Sequence, residues 1–119
     1  MLIVQIANLV HQTSGGIART MTELRNEYRA LGHQVVLITP SDRFSDQTDE
    51  TGVRRIQLKA PKILGWGGYR LIWRRRQLKK LLIQIVPDII VVAVKLKEYQ
   101  YKNQPKVTLE TLQSAFLQQ

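Results

Sequence analysis

The chain contains no cysteine. That excludes a disulfide framework and any metal site built on thiolates, and it fits a reducing compartment. Histidine is nearly absent too. His11 and His33 stand alone, too few and too far apart to hold a metal without thiolate help. No serine and aspartate are legible as partners of His11, so a nucleophilic triad is unsupported. Long apolar runs are also missing. Residues 2–7 and 89–94 are the longest, well short of the roughly 20 residues that cross a bilayer. The first run also lacks the basic flank of a secretory signal. The expected location is the cytoplasm, with the inner face of the membrane as a peripheral docking place.

Acids are scarce. Nine Asp and Glu face eighteen Lys and Arg, for a net charge of +9. Six of those eighteen cations fall within residues 69–80, a window with no acid. A basic concentration of this kind suits an anionic partner, although a solvated helix face is the commoner explanation of any single charge run. Nucleic acid is the weaker choice, because no recognition motif and no interleaved aromatic platform accompany the charge. With 44% apolar and 23% charged residues in 119, the composition is that of one ordinary globular domain.

What is present reads as an α/β fold with a mostly parallel sheet. Residues 2–7 (LIVQIA) are nearly all apolar, the pattern of a strand covered on both faces. Ile17, Met21, Leu24, Tyr28 and Leu31 recur at helical spacing, with Thr13 or Ser14 as N-cap and Gly32 placed to stop the helix in a left-handed cap. Residues 35–39 (VVLIT) form a second buried strand, so strand, helix and strand make a right-handed βαβ unit. Residues 41–52 read as a polar surface loop, 53–58 as a partly exposed strand and 60–68 as a shaped loop holding Trp66. Residues 69–85 return to helical periodicity, with Leu78, Leu82 and Ile85 on one face and Arg74, Arg75, Arg76, Lys79 and Lys80 on the other. Residues 89–94 (IIVVAV) are a fourth buried strand. Beyond residue 95 the composition shifts to Gln, Lys, Tyr and Thr, with weak helical spacing over 109–117.

The stretch NLVHQTSGGIARTM, residues 8–21, organises the rest. A strand that breaks at Gly15 and Gly16 and restarts as a helix aims unpaired amides and a helix dipole at one point, which favours an anion such as phosphate. The pattern is neither a dinucleotide fingerprint nor a P-loop. A plain structural turn fits the two glycines as well as a phosphate cradle does. The position at the carboxyl end of the first strand is what favours the ligand. His11 stands in the same loop, able to donate a hydrogen bond or accept a proton, whereas His33 reads as structural. The amphipathic basic helix could cover the sheet and still lie against an anionic membrane.

Taken together, LIVQIANLVHQTSGGIARTMTELRNEYRALGHQVVLITP, then GVRRIQL, GWGGYR and PDII in that order resemble the N-terminal half of retaining GT-B glycosyltransferases of the group-1 or family-4 type. The resemblance covers residues 1–90. It implies one Rossmann-like half of a two-domain enzyme that moves a hexose from a UDP- or GDP-linked sugar to an acceptor hydroxyl, of a glycan or glycolipid, without a metal or other cofactor. It implies that Gly15, Gly16, Ile17 and Arg19 approach the donor diphosphate, and that His11, Thr13, Tyr69 and Arg70 belong to the acceptor side. It also implies membrane docking through Arg74, Arg75, Arg76, Lys79 and Lys80. The catalytic residues stay unassigned. Residues 1–94 are expected to form the acceptor-side domain in incomplete form, and 95–119 a divergent tail with partial disorder. Because the donor domain does not follow, a separately encoded donor half is an implied partner and little turnover is expected of this chain alone. The rival reading is a non-catalytic basic module that docks on an anionic membrane or a protein.

Overall fold

The apolar stretch that opens the chain becomes the strand at the middle of the sheet. The computed structural model describes residues 1–7, 9–10, 16–60, 70–71, 75–92 and 97–117. Along the chain these form β1 (Leu2–Ile6), β2 (Leu9–Val10), α1 (Gly16–Ala30), β3 (Gln34–Ser41), β4 (Ser45–Thr48), β5 (Arg54–Lys59), β6 (Arg70–Leu71), α2 (Arg75–Ile85), β7 (Ile89–Val92), β8 (Lys97–Gln100) and α3 (Pro105–Leu117). Six strands build one sheet in the order β4-β5-β3-β1-β7-β8. Its four inner strands are parallel, and β4 and β8 close the two edges antiparallel. The architecture is α/β and Rossmann-like, as the alternation of buried runs and amphipathic stretches requires.

Alternation along β1 splits the core into two layers. Val4 and Ile6 point into the larger cluster, with Val36, Ile38, Ile56, Leu58, Ile90 and Val92 from the sheet and Leu78 and Leu82 from α2. Ile3 points the other way, to Met21 of α1 and Val91. Both faces are therefore covered over β1, β3 and β7, which explains why these strands carry no polar alternation, whereas β5 alternates buried Ile56 and Leu58 with exposed Arg55, Gln57 and Lys59. α1 stops where the sequence predicts: Gly32 takes φ +87°, its amide bonds Arg29 O and the His33 amide bonds Tyr28 O, a Schellman ending.

Three segments differ from the sequence expectation. The polar stretch 41–52 holds a strand, β4, paired antiparallel to β5 through a tight turn at Asp49. An edge strand with one solvated side needs no apolar run, so periodicity does not reveal it. The Asp49 carboxylate accepts from the Thr51 hydroxyl, pairs with Arg55 and accepts from the Val53 and Thr51 amides, which in that order hold it well below the usual carboxylate range. Residues 70–71, read as the start of a helix, are instead strand β6, because they pair with β2; α2 begins only at Arg75. Within the stretch read as a tail, β8 pairs with β7, and Tyr101 is buried in the larger cluster with Leu109 of α3 beside it. Asp88 fastens this corner: its carboxylate accepts from the Leu2 amide at 2.7 Å and lies 3.2 Å from Lys102 Nζ. The Leu2 bond first and Lys102 second hold its pKa below the ordinary value.

Candidate functional site

The strand order fixes where a ligand crevice can open. From β1 the chain steps to β3 and β5 on one side, whereas β7 lies on the other side of β1. Such a reversal leaves room outside the carboxyl ends of the strands, and open α/β sheets bind ligands there. β1 is carried to that end in register with both neighbours, Ile6 opposite Ile38 and Val92, and the Ala7 amide adds a bond to Ile38 O. α1 then begins at Gly16. The amides of a helix's first turn have no partner within the helix, and in α1 these are the amides of Gly16, Ile17 and Ala18. No acid occupies that first turn to compete with an incoming anion.

Of the residues predicted to meet a donor phosphate, Gly16 and Ile17 open α1, and Gly15 lies outside the described residues. Arg19 stands exposed in the first turn with its Nε 3.2 Å from Glu23 Oε1. An exposed pair one turn apart contributes only about 0.3–0.5 kcal/mol, so an anion can draw the guanidinium away. Of the acceptor-side set, Arg70 lies in β6, whereas His11, Thr13 and Tyr69 lie outside the described residues. Of the basic patch, Arg75 opens α2, Arg76, Lys79 and Lys80 are exposed on it, and Arg74 lies outside the described residues. Ile83, one turn further on the same face, is 53% exposed.

The structure brings two of these groups together. β2, directly after β1, pairs antiparallel with β6, so Val10 stands opposite Arg70 and Leu9 opposite Leu71. The segment leading to the glycine turn and the segment carrying Arg70 are thus neighbours, far apart though they are in sequence. Two-residue strands have no period to read, and no sequence signal announces this pairing.

A second feature escaped the sequence reading. Gln5, fully buried in β1, donates from Nε2 to Met21 O at 3.0 Å and accepts from Arg25 Nη1 at 3.0 Å. Arg25 also donates from Nη2 to Thr22 Oγ1 at 3.1 Å. Burial, and then the nearby charge of Arg55, lower the Arg25 pKa against the pull of Asp49. The guanidinium nevertheless stays protonated. The signal was available: a lone glutamine inside LIVQIA is a polar group that must find partners once buried. Among the described residues no group of three or more His, Asp or Glu could hold a metal, and no helix is long and apolar enough to cross a membrane.

Comparison with known proteins adds sequence relatives to this geometry. The chain matches the family model of Glycosyltransferase Family 4 over residues 14–95. It is 38% identical over 96 residues to the GDP-mannose-dependent alpha-(1-6)-phosphatidylinositol dimannoside mannosyltransferase of Mycobacterium tuberculosis strain ATCC 25177 / H37Ra, covering 81% of this chain and 25% of that protein. The protein of the same name from strain CDC 1551 / Oshkosh is similar to the same extent. The chain thus spans about a quarter of the length of the curated relatives it matches. No solved structure matches it.

Proposed function

Because the chain belongs to Glycosyltransferase Family 4, we propose that it supplies the amino-terminal, acceptor-side half of a GT-B sugar transferase whose donor is a nucleotide sugar. GDP-mannose is the donor named for the relatives, and a mannosylated phosphatidylinositol is the acceptor named for them. A GDP-linked hexose and a glycolipid hydroxyl are accordingly the substrates proposed here. The observation that carries the reading is α1 opening at Gly16 beyond the carboxyl end of β1, where the strand order reverses. There the first-turn amides, with Arg19 beside them, would face the donor diphosphate and stabilise the charge that grows on it as the sugar leaves. Arg70, held beside Val10, fits the acceptor side of the same crevice. The exposed Arg76, Lys79 and Lys80, continued by Ile83, suit an anionic bilayer surface from which a lipid acceptor could be drawn.

Transition-state stabilisation in such a crevice requires groups from both of its walls. The 119-residue chain should therefore bind GDP weakly, lose that binding on Gly16→Val, and transfer mannose only when a separately made donor half is added. Calorimetric titration with GDP, and a mannose-transfer assay with and without that half, test this directly. A chain that ignores GDP yet binds phosphatidylinositol vesicles in a salt-sensitive way would instead be a membrane-docking module.

A further inference from the structure

Gln5 is the sole polar residue of β1, and the side chain lies wholly inside the protein on the face covered by α1. An apolar residue there would let α1 rest on the sheet through contacts that tolerate sliding, because dispersion is not directional. The amide of Gln5 works differently. It reaches the helix backbone at Met21 and the helix side chain at Arg25 at once, both at 3.0 Å. Those two points lie one turn apart on α1, so together they fix its rotation and its position along β1. Arg25 is only 9% exposed, and its second arm returns to Thr22, which keeps the guanidinium from turning away. Breaking one arm leaves a buried polar group without its partner, which makes the arrangement all-or-none.

We infer that Gln5 and Arg25 are positioning residues that pin α1 to β1 and thereby set where the helix's first turn presents its amides to the ligand. The inference rests on the reading of that turn as the diphosphate-facing element. From Arg25 back to Gly16 is roughly 13 Å of helix at 1.5 Å per residue. A small rotation at the pin therefore becomes a displaced donor at the site.

The test uses the 119-residue chain with Gln5→Leu, Arg25→Met, the double variant, Arg25→Lys, and Leu82→Ala as a control on the opposite face. Two readouts are taken: hydrogen exchange of the α1 amides over residues 20–24 relative to those of β3, and GDP affinity by titration. The pin predicts faster exchange confined to α1 in Gln5→Leu and Arg25→Met, with GDP affinity lowered about three- to tenfold. The double variant should be no worse than the worse single, and Arg25→Lys should recover part of the loss. Leu82→Ala should loosen both regions alike. Uniform loosening in the pin variants, with GDP affinity unchanged, would overturn the inference and make the two residues ordinary core contacts. If the unsubstituted chain does not bind GDP, the diphosphate reading falls, and the exchange pattern alone decides the pin. Should Arg25→Met not fold, Gln5→Glu and Arg25→Lys carry the same measurements.

Discussion

α1 and α2 lie against opposite faces of one sheet, yet they meet it by different chemistry. α2 sets Leu78 and Leu82 into the larger apolar cluster and turns Arg76, Lys79 and Lys80 to solvent. α1 offers a smaller apolar contact, Met21 with Ile3 and Val91, and adds the buried bonds of Gln5 and Arg25. The first arrangement buries more apolar surface and so contributes more stability; the second trades area for direction. Position matters on the α1 side because its first turn opens at the carboxyl ends of the strands. The outward face of α2 has no such constraint and is free to carry charge.

The largest effect should come from truncating each helix at its most buried contact. Leu82, 1% exposed, sits among rigid strand side chains that cannot close a void. Leu82→Ala should cost about 3–4 kcal/mol of unfolding free energy, whereas Met21→Ala in the smaller cluster should cost about 2 kcal/mol. Denaturant midpoints of the two variants measure the difference. A Met21→Ala loss equal to that of Leu82→Ala would mean that both faces carry the fold equally.

Much of this was legible in the sequence because the inner strands and helices are periodic. The runs around Val4, Val36 and Ile90, and the stripe from Met21 to Tyr28, announce a parallel sheet with helices upon it; Leu31, read into the same stripe, lies beyond α1 and is exposed. Gly32 announces its own cap. The features that escaped lack a period. β4 is polar along its length because an edge strand has a solvated side, and β2 and β6 are too short to alternate. β8 lies in a stretch whose apolar positions are sparse, α3 shows only the weak helical spacing of 109–117, and Tyr101 and Leu109 join the larger cluster only through the fold. For the proposed site, the sequence offers the paired glycines and Arg19 as candidates, of which Gly16 and Arg19 fall in the first turn of α1. The approach of Arg70 to Val10 arises from tertiary pairing, which local sequence does not encode.

The helix ends sharpen the comparison further. α1 ends at Gly32 with φ +87° and α2 at Val86 with φ +50°, the same left-handed region occupied by the most and by one of the least tolerant residue types. A Cβ added at Gly32 would meet nothing within 4 Å. Gly32→Ala should therefore cost the left-handed strain of about 1–2 kcal/mol, less about 0.5–1 kcal/mol returned by the stiffer unfolded chain. A melting temperature unchanged by this substitution would show that the α1 ending relaxes out of the left-handed region.

Val86→Gly is the converse and the smallest effect. The Val86 amide bonds Leu82 O, so the turn is fixed by the helix it ends, and Pro87 follows to restrict the backbone further. Valine is 45% exposed there, so little packing is lost with its side chain. Glycine removes about 1–2 kcal/mol of left-handed strain but gives back about 0.5–1 kcal/mol through the greater freedom of the unfolded chain. The net expectation is a gain of roughly 0.5 kcal/mol, seen as a small rise in the denaturant midpoint with an unchanged slope. A fall would mean that the exposed valine earns its strained place by packing against the helix end. α2, like α1, would then be held in part by a specific contact and not by apolar burial alone.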